Sequence, residues 1–269
     1  MAERPNEDLR KLAARIRLNA TRMVAIQGFG YLGQALSSAE IFAALFGGGF
    51  VRPDRDRFIL SPGHYVVCLY AVAAETGRLD RAELTSYGMD GALLEAIGTE
   101  RTPLVDLVCG SLGQGLSGAI GFAIAAHQAQ EDRVTYAFLS DGEMEEGQVW
   151  EAAMFASHHR HRMGRLVVVI DANNSQVDGS VTSVTTIEPL AEKWKSFGWR
   201  VADLDGHDLV ALTKALATTS ADNQPLVIIA RTEILGRMKS IPATVDGHFI
   251  KLDPALERAV TAELEAALA

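Results

Sequence analysis

The sequence predicts an α/β chain built on a doubly wound parallel sheet, and three observations carry that prediction. Short, almost wholly apolar runs, RFILS, TYAFLS, LVVVID and PLVIIA, recur along the chain, as strands buried on both faces do. Between them lie stretches with helical spacing, linked by turns of the length found in βαβ units, whose helical crossovers bring the next strand back in parallel. The sharpest polar turns fall where strands end, so they should emerge together at the carboxyl edge of the sheet.

Asn6 to Gln27 opens the chain with Leu9, Leu12, Ile16, Val24 and Ile26 at helical spacing and basic residues between them. GFGYLG then reads as a glycine-rich turn, with Ser37 or Ser38 placed to cap a helix through AEIFAALF. RFILS is a short strand, and PGHYVVCLYAVAAETG restarts a helix with Pro62 in its first turn, making Ser61 to His64 a strand-to-helix corner. Residues 78–110 show no clean period and are expected as a loop over the sheet edge. GSLGQGLSGAIGFAIAAHQA is a glycine-rich loop running into a helix of small residues. Strand TYAFLS, a helix from about Gly147 to His161 and strand LVVVID follow. Pro189 to Phe197 is then helical, WRVADL a strand, Asp208 to Thr218 a helix and PLVIIA the last strand. A loop and helix at about 232–269 close a single domain spanning 1–269.

At 269 residues and 48% hydrophobic, the chain can bury a sizeable core. Its net charge of -9 and lack of a Lys/Arg cluster argue against a nucleic-acid surface. A phosphate ligand would need a metal to neutralise it. Cys68 and Cys109 lack metal-ligand spacing and sit in apolar or small-residue surroundings, so buried thiols in a reducing cytoplasm are expected. MAERPNEDLRKLAARIRL is not of signal-peptide type, and no apolar run of ~18 residues offers a membrane span.

The chemistry concentrates between Val134 and Gly179. Asp141 ends one strand and Asn173 ends the next, so a carboxylate and an amide oxygen aim from neighbouring strand ends at one point, a hard-oxygen set suited to Mg²⁺ or Ca²⁺. Gly142 lets the backbone approach an anion, and the helix that follows offers N-terminal amides to negative charge. Asp-Gly and Asn-Asn are also ordinary turn formers. Their recurrence on successive strand ends, with four carboxylates in DGEMEE, is more than a turn needs.

SDGEMEEGQVWEAAMFASHHRHRMGRLVVVIDANNSQVDG resembles the thiamine diphosphate signature of transketolases. SPGH, GSLGQG, the GWRV-x-DGHD segment and the late His248 follow in that family's order. The resemblance implies a thiamine diphosphate-binding fold, specifically its diphosphate-binding domain, with Mg²⁺ on Asp141, Asn173 and the Ser175 carbonyl. Gly142 would face the diphosphate, Gly110 and Leu112 would line the cofactor, and His64 would lie near diphosphate and donor, the alternative being a structural histidine satisfied by backbone. His248 matches a histidine near the reacting carbon, although a plain surface-loop histidine is the alternative. Glu146 and Glu151 match carboxylates at the subunit contact, where a shared proton would couple sites. Otherwise they are solvated residues favoured by a helix N-terminus. His158, His159 and His161 need no metal, since a helix C-terminus suits them, and His127 and His207 are read as structural.

Two departures bear on substrate. Tyr31 stands where the family has a sugar-contacting histidine, and Thr99 stands at or near a second one. A donor other than an ordinary ketose phosphate is therefore expected. The resemblance spans the N-terminal half of a full-length transketolase. It thus implies one subunit of a split enzyme, inactive without a separate C-terminal subunit that brings the pyrimidine-binding domain and its catalytic glutamate, in an α2β2 assembly. The reaction implied is transfer of a two-carbon ketol unit from a ketose-like donor to an aldehyde. The competing reading is a thiamine-dependent 2-oxoacid decarboxylating acyl transferase, acyloin synthase or dehydrogenase component.

Overall fold

A computed structural model describes residues 6–52, 54–220 and 222–269. Residues 1–5, the start of the segment expected to carry no export signal, lie outside the described residues, as do Pro53 and Ala221. Along the chain the elements are α1 (Asn6–Gln27), β1 (Phe29–Gly30), α2 (Leu32–Phe42, prolonged by a π-helical turn), β2 (Arg57–Pro62), α3 (Val66–Glu75) and β3 (Leu107–Cys109). Next come α4 (Gln114–Gln128), β4 (Val134–Ser140), α5 (Gly147–His158), β5 (Arg165–Ala172), α6 (Val181–Val184) and α7 (Leu190–Ser196). The chain ends with β6 (Arg200–Asp205), α8 (Leu209–Leu216), β7 (Leu226–Arg231), β8 (Ile250–Lys251) and α9 (Pro254–Ala266).

Six strands form one parallel sheet in the order β3-β2-β4-β5-β7-β6, and β1 and β8 form a separate antiparallel pair. Strand side chains alternate between two cores, as a pleated strand requires. Tyr136, Phe138, Val167, Val169 and Ile228 face α1, α2, α3 and α8. Ala137, Leu139, Val168, Ile170, Val227 and Ile229 face α4, α5 and α7. Helices thus cover both faces, which is why these strands read as unbroken apolar runs.

Three local expectations are corrected. Helix α2 begins at Leu32, so Ser37 and Ser38 lie within it and cap nothing. The stripe Leu32, Ala35, Leu36 and Ala39 is already buried, and that burial starts the helix earlier than the cap residues suggest. Pro62 ends β2, and Gly63–Tyr65 make a 3₁₀ turn before α3. Residues 78–110, expected as loop, contain a 3₁₀ turn at Arg81–Ser86 and the edge strand β3. Three residues long, with Leu107 and Val108 only half-buried, that strand leaves little periodicity to read.

The crossover from β2 leads outward to β3, whereas that from β4 leads the opposite way to β5. Their divergence opens a crevice at the carboxyl ends of β2 and β4, the position where doubly wound sheets bind ligands.

Candidate active site

Two buried carboxylates build the floor of this crevice. Asp171, at the end of β5, is 0% exposed and accepts from Ser37 Oγ at 2.6 Å, Tyr65 Oη at 2.9 Å, Asn173 Nδ2 at 2.9 Å and the Thr232 hydroxyl. Asn173 Nδ2 also donates to Tyr65 Oη at 3.0 Å. These contacts fix the amide, leaving Oδ1 for the opposite side, where it accepts from Ser175 N at 2.9 Å. Asp141 lies across the strand gap, bonded to the backbone amides of Gly142 and Asn174. Asn174 adopts φ +59°, a left-handed conformation that asparagine tolerates and that turns the chain back under Asp141.

Burial, reinforced by the charge of Asp171, pushes Asp141 up to about 7. Its own hydrogen-bond partners and those of Asp171 are all neutral. Two buried carboxylates without a counter-charge are costly. A divalent cation on Asp141, Asn173 Oδ1 and a turn carbonyl would relieve that cost, so these residues fit the metal that the resemblance implies.

Glu143 was not singled out in the sequence and organises the walls. It is 0% exposed; Oε1 accepts from Gly113 N at 2.7 Å and from the Ser61 hydroxyl, and Oε2 accepts from Ser140 N at 2.9 Å. Ser61 Oγ in turn accepts from Gly115 N at 3.1 Å. One carboxylate therefore ties the ends of β2 and β4 to the first amides of α4, whose N-cap, Gly113, has no side chain of its own to do so. Gly113 must be glycine, because its φ is +83° and a Cβ would lie 2.9 Å from Glu146 Cβ. Burial pushes Glu143 above the usual carboxylate range, opposed by these donors.

Above the floor lies a cleft of about 430 Å³. It brings together Tyr31, His64, Gly110, Leu112, Gly142, Glu146, Ser175 and His248 from the residues singled out in the sequence. Asp141 and Asn173 lie beneath it. Burial, with a smaller effect of His248, lowers His64 to about 3. His248 is lowered by burial, against the opposing pull of Asp246 and the Ser175 backbone, so neither ring carries a proton charge near neutrality.

Tyr31 is packed among the histidines. Its ring centre is 5.2 Å from His64, 5.9 Å from His248 and 5.2 Å from Phe249. Thr99 does not line the cleft. Its hydroxyl bonds Glu95 and accepts from Arg101 N at 3.2 Å, while Ile97, two residues earlier, supplies the wall and is 47% exposed. Glu151 also lies away from the cleft, on the exposed side of α5 beside Met154 and Phe155, which are 50% and 45% exposed.

Elsewhere, Cys68 and Cys109 are free and buried, as expected, and burial pushes Cys68 to about 12. His207 is structural, its Nδ1 3.0 Å from Glu40. Among the described residues no helix is long and apolar enough to cross a membrane.

A crevice at a switch point, floored by two buried carboxylates and walled by glycine backbone, fits a diphosphate-binding α/β domain. Residues 9–253 match the family described as transketolase, thiamine diphosphate binding domain, and the chain belongs to the transketolase family. It is 38% identical over 259 residues to a transketolase family protein of Sinorhizobium fredii, covering 93% of this chain and 92% of that one. It is 35% identical over 270 residues to the 6-deoxy-6-sulfo-D-fructose transketolase subunit SqwG of a Clostridium species, covering 96% of each. Transketolase of Campylobacter jejuni superposes with a TM-score of 0.81 at 25% identity, over 98% of this chain and 46% of that one. The chain thus spans about half the length of that solved transketolase.

Proposed function

We propose that this chain holds Mg²⁺ and thiamine diphosphate for a two-chain transketolase-like transferase, which moves a two-carbon ketol unit from a ketose-like donor to an aldehyde. The observation that carries the reading is the convergence of Asp141, Asn173 Oδ1 and Ser175 beneath Gly142 at the switch point. Those three residues hold the metal, with Ca²⁺ as a permitted substitute. Gly142 and Gly110 offer backbone to the diphosphate, and Leu112 lines the ring system. When bound, thiamine diphosphate supplies the electron sink for breaking and making the carbon–carbon bond.

The chain's own part is positioning and hydrogen bonding. Neutral His64 offers one donor and one acceptor to oxygens at the reacting end of a substrate, and neutral His248, whose Nδ1 is 3.3 Å from the Gln34 amide nitrogen, offers them its other ring nitrogen. Glu146, exposed at the cleft edge, and Glu151, on the outer side of α5, are placed to meet another subunit. The catalytic glutamate comes from a partner carrying a pyrimidine-binding domain, in an α2β2 assembly. SqwG, which is named a subunit and matches this chain along nearly its whole length, supports that format.

Among the described residues no lysine or arginine lines the cleft, whereas Glu145, Glu146 and Asp178 do. An anionic substrate tail must therefore be gripped by the partner. Tyr31 in place of a sugar-binding histidine points to a donor other than the common ketose phosphates. The same tyrosine, with Phe249 against it, is the observation that favours the second reading, a 2-oxoacid decarboxylating acyl transferase, because an aromatic wall suits a less hydroxylated chain.

The test is calorimetric titration of thiamine diphosphate into the chain mixed with its partner, with and without Mg²⁺, followed by product analysis with ketose and 2-oxoacid donors. Mg²⁺-dependent binding and ketol transfer are expected only from the mixture. Absence of binding, or full turnover by this chain alone, would overturn the proposal.

A further inference from the structure

Gln34 lies on α2, one turn beyond Tyr31, and is 1% exposed. Its side-chain nitrogen is 3.1 Å from the His248 carbonyl oxygen and 3.3 Å from His248 Nδ1. A carbonyl oxygen only accepts, so the amide end that faces His248 is the NH₂ group. That group has a second hydrogen for Nδ1, and Nδ1 takes it only through a bare lone pair. The ring proton of His248 therefore resides on Nε2.

Two further observations show that this contact is built. The Gln34 Oε1 atom is buried and has no hydrogen-bond partner among the described residues. An unmet buried acceptor is rare in a core, and a methionine would fill the same space without one. In addition, α2 and the segment bearing His248 are pressed together: a Cβ on Gly33 would lie 1.9 Å from the Gly247 carbonyl oxygen. The amide and the imidazole consequently have little freedom to part. The ring itself stands edge-on to Tyr31, with an interplanar angle of 89°.

We infer that Gln34 is a positioning residue that locks His248 in the Nε2–H tautomer, so that the ring faces the cleft as a hydrogen-bond donor. A substrate oxygen entering the cleft meets that Nε2–H. A carbonyl or alkoxide oxygen is the chemistry such a donor recognises. The use of the donor rests on the function proposed above, but the tautomer is a property of the chain by itself.

The test is long-range ¹H–¹⁵N correlation on the full chain with ¹⁵N-labelled histidine, without cofactor, at mildly alkaline pH. His248 is assigned by the signals lost in His248→Gln. The native chain should show Nδ1 in the unprotonated region and Nε2 in the protonated region. Gln34→Met, which removes the donor and no satisfied acceptor, should stay folded and move both His248 nitrogens toward the averaged shifts of mixed tautomers. Gln34→Glu offers a carboxylate to Nδ1 and should protonate it. A protonated Nδ1 in the native chain, or a bare-Nδ1 pattern unchanged in Gln34→Met, overturns the inference and leaves the cofactor reading standing. Failure of thiamine diphosphate binding with the native tautomer as expected does the reverse.

Discussion

Glu143→Gln is the substitution that most directly tests how the cleft is built. It keeps the size of the side chain and exchanges one acceptor oxygen for an NH₂ group. In the native chain both oxygens accept from backbone amides, Gly113 N at 2.7 Å on one and Ser140 N at 2.9 Å on the other. Whichever way the glutamine amide is turned, its NH₂ faces a backbone N–H, and one buried donor loses its partner. Such a loss costs ~1–3 kcal/mol. For a domain of this size each kcal/mol is roughly 2–4 °C in the unfolding midpoint, so a fall of roughly 2–12 °C is expected.

The measurement is thermal unfolding followed by circular dichroism, with Glu145→Gln as control. Glu145 is exposed and its substitution should stay within ~0.5 kcal/mol of the native chain. Thiamine diphosphate affinity of the assembled enzyme should fall with Glu143→Gln, because the loops that meet the cofactor are the ones untied. Equal midpoints for the two variants, with cofactor affinity unchanged, would refute the reasoning.

Asp141→Ala should abolish Mg²⁺-dependent cofactor binding while circular dichroism shows the fold retained; tight binding by that variant would remove Asp141 from the metal. Tyr31→His restores a polar partner to the cleft wall and should raise kcat/KM for an ordinary ketose phosphate by roughly 5- to 150-fold, the equivalent of ~1–3 kcal/mol; no change in donor preference would count against its role. Glu40 supplies a pH prediction. Burial alone would raise it, but Arg17, at 2.7 and 2.6 Å, and His207 together hold it at about 2 against an ordinary 4.5. A depressed carboxylate stabilises the fold above its unfolded value, so ~3 kcal/mol should be present above pH 5 and lost as pH falls toward 2. Glu40→Gln should flatten that part of a stability–pH curve measured by urea unfolding, and an unchanged slope would refute the assignment.

The parallel architecture was legible because both faces of the sheet are covered, and a strand such as LVVVID then has no reason to alternate. Asp141 and Asn173 were legible for a related reason. Polar residues that end apolar strands stand out, and successive strands of a parallel sheet end at the same edge. Glu143 and Asp171 were not, although both are 0% exposed. Glu143 sits among three other acids in the sequence, and nothing in DGEMEE marks which one turns inward, since its partners Ser61 and Gly113 are remote along the chain. Asp171 reads as the end of a strand, and the cluster Ser37, Tyr65, Asn173 and Thr232 that satisfies it comes from four separate segments. The pairing of Phe29–Gly30 with Ile250–Lys251 was unreadable too, being two residues long on each side and joining opposite ends of the sequence.

That small ribbon carries the residues on either side of it. Tyr31 follows one of its strands and His248 precedes the other, whereas Asp141, Glu143 and Asn173 hang from the six-stranded sheet. The cleft is therefore assembled from two parts of different origin, an aromatic wall carried by the ribbon and an acidic floor carried by the sheet. A substitution at Tyr31 therefore reshapes the wall while the hydrogen bonds that hold Asp141 and Asn173 stay in place.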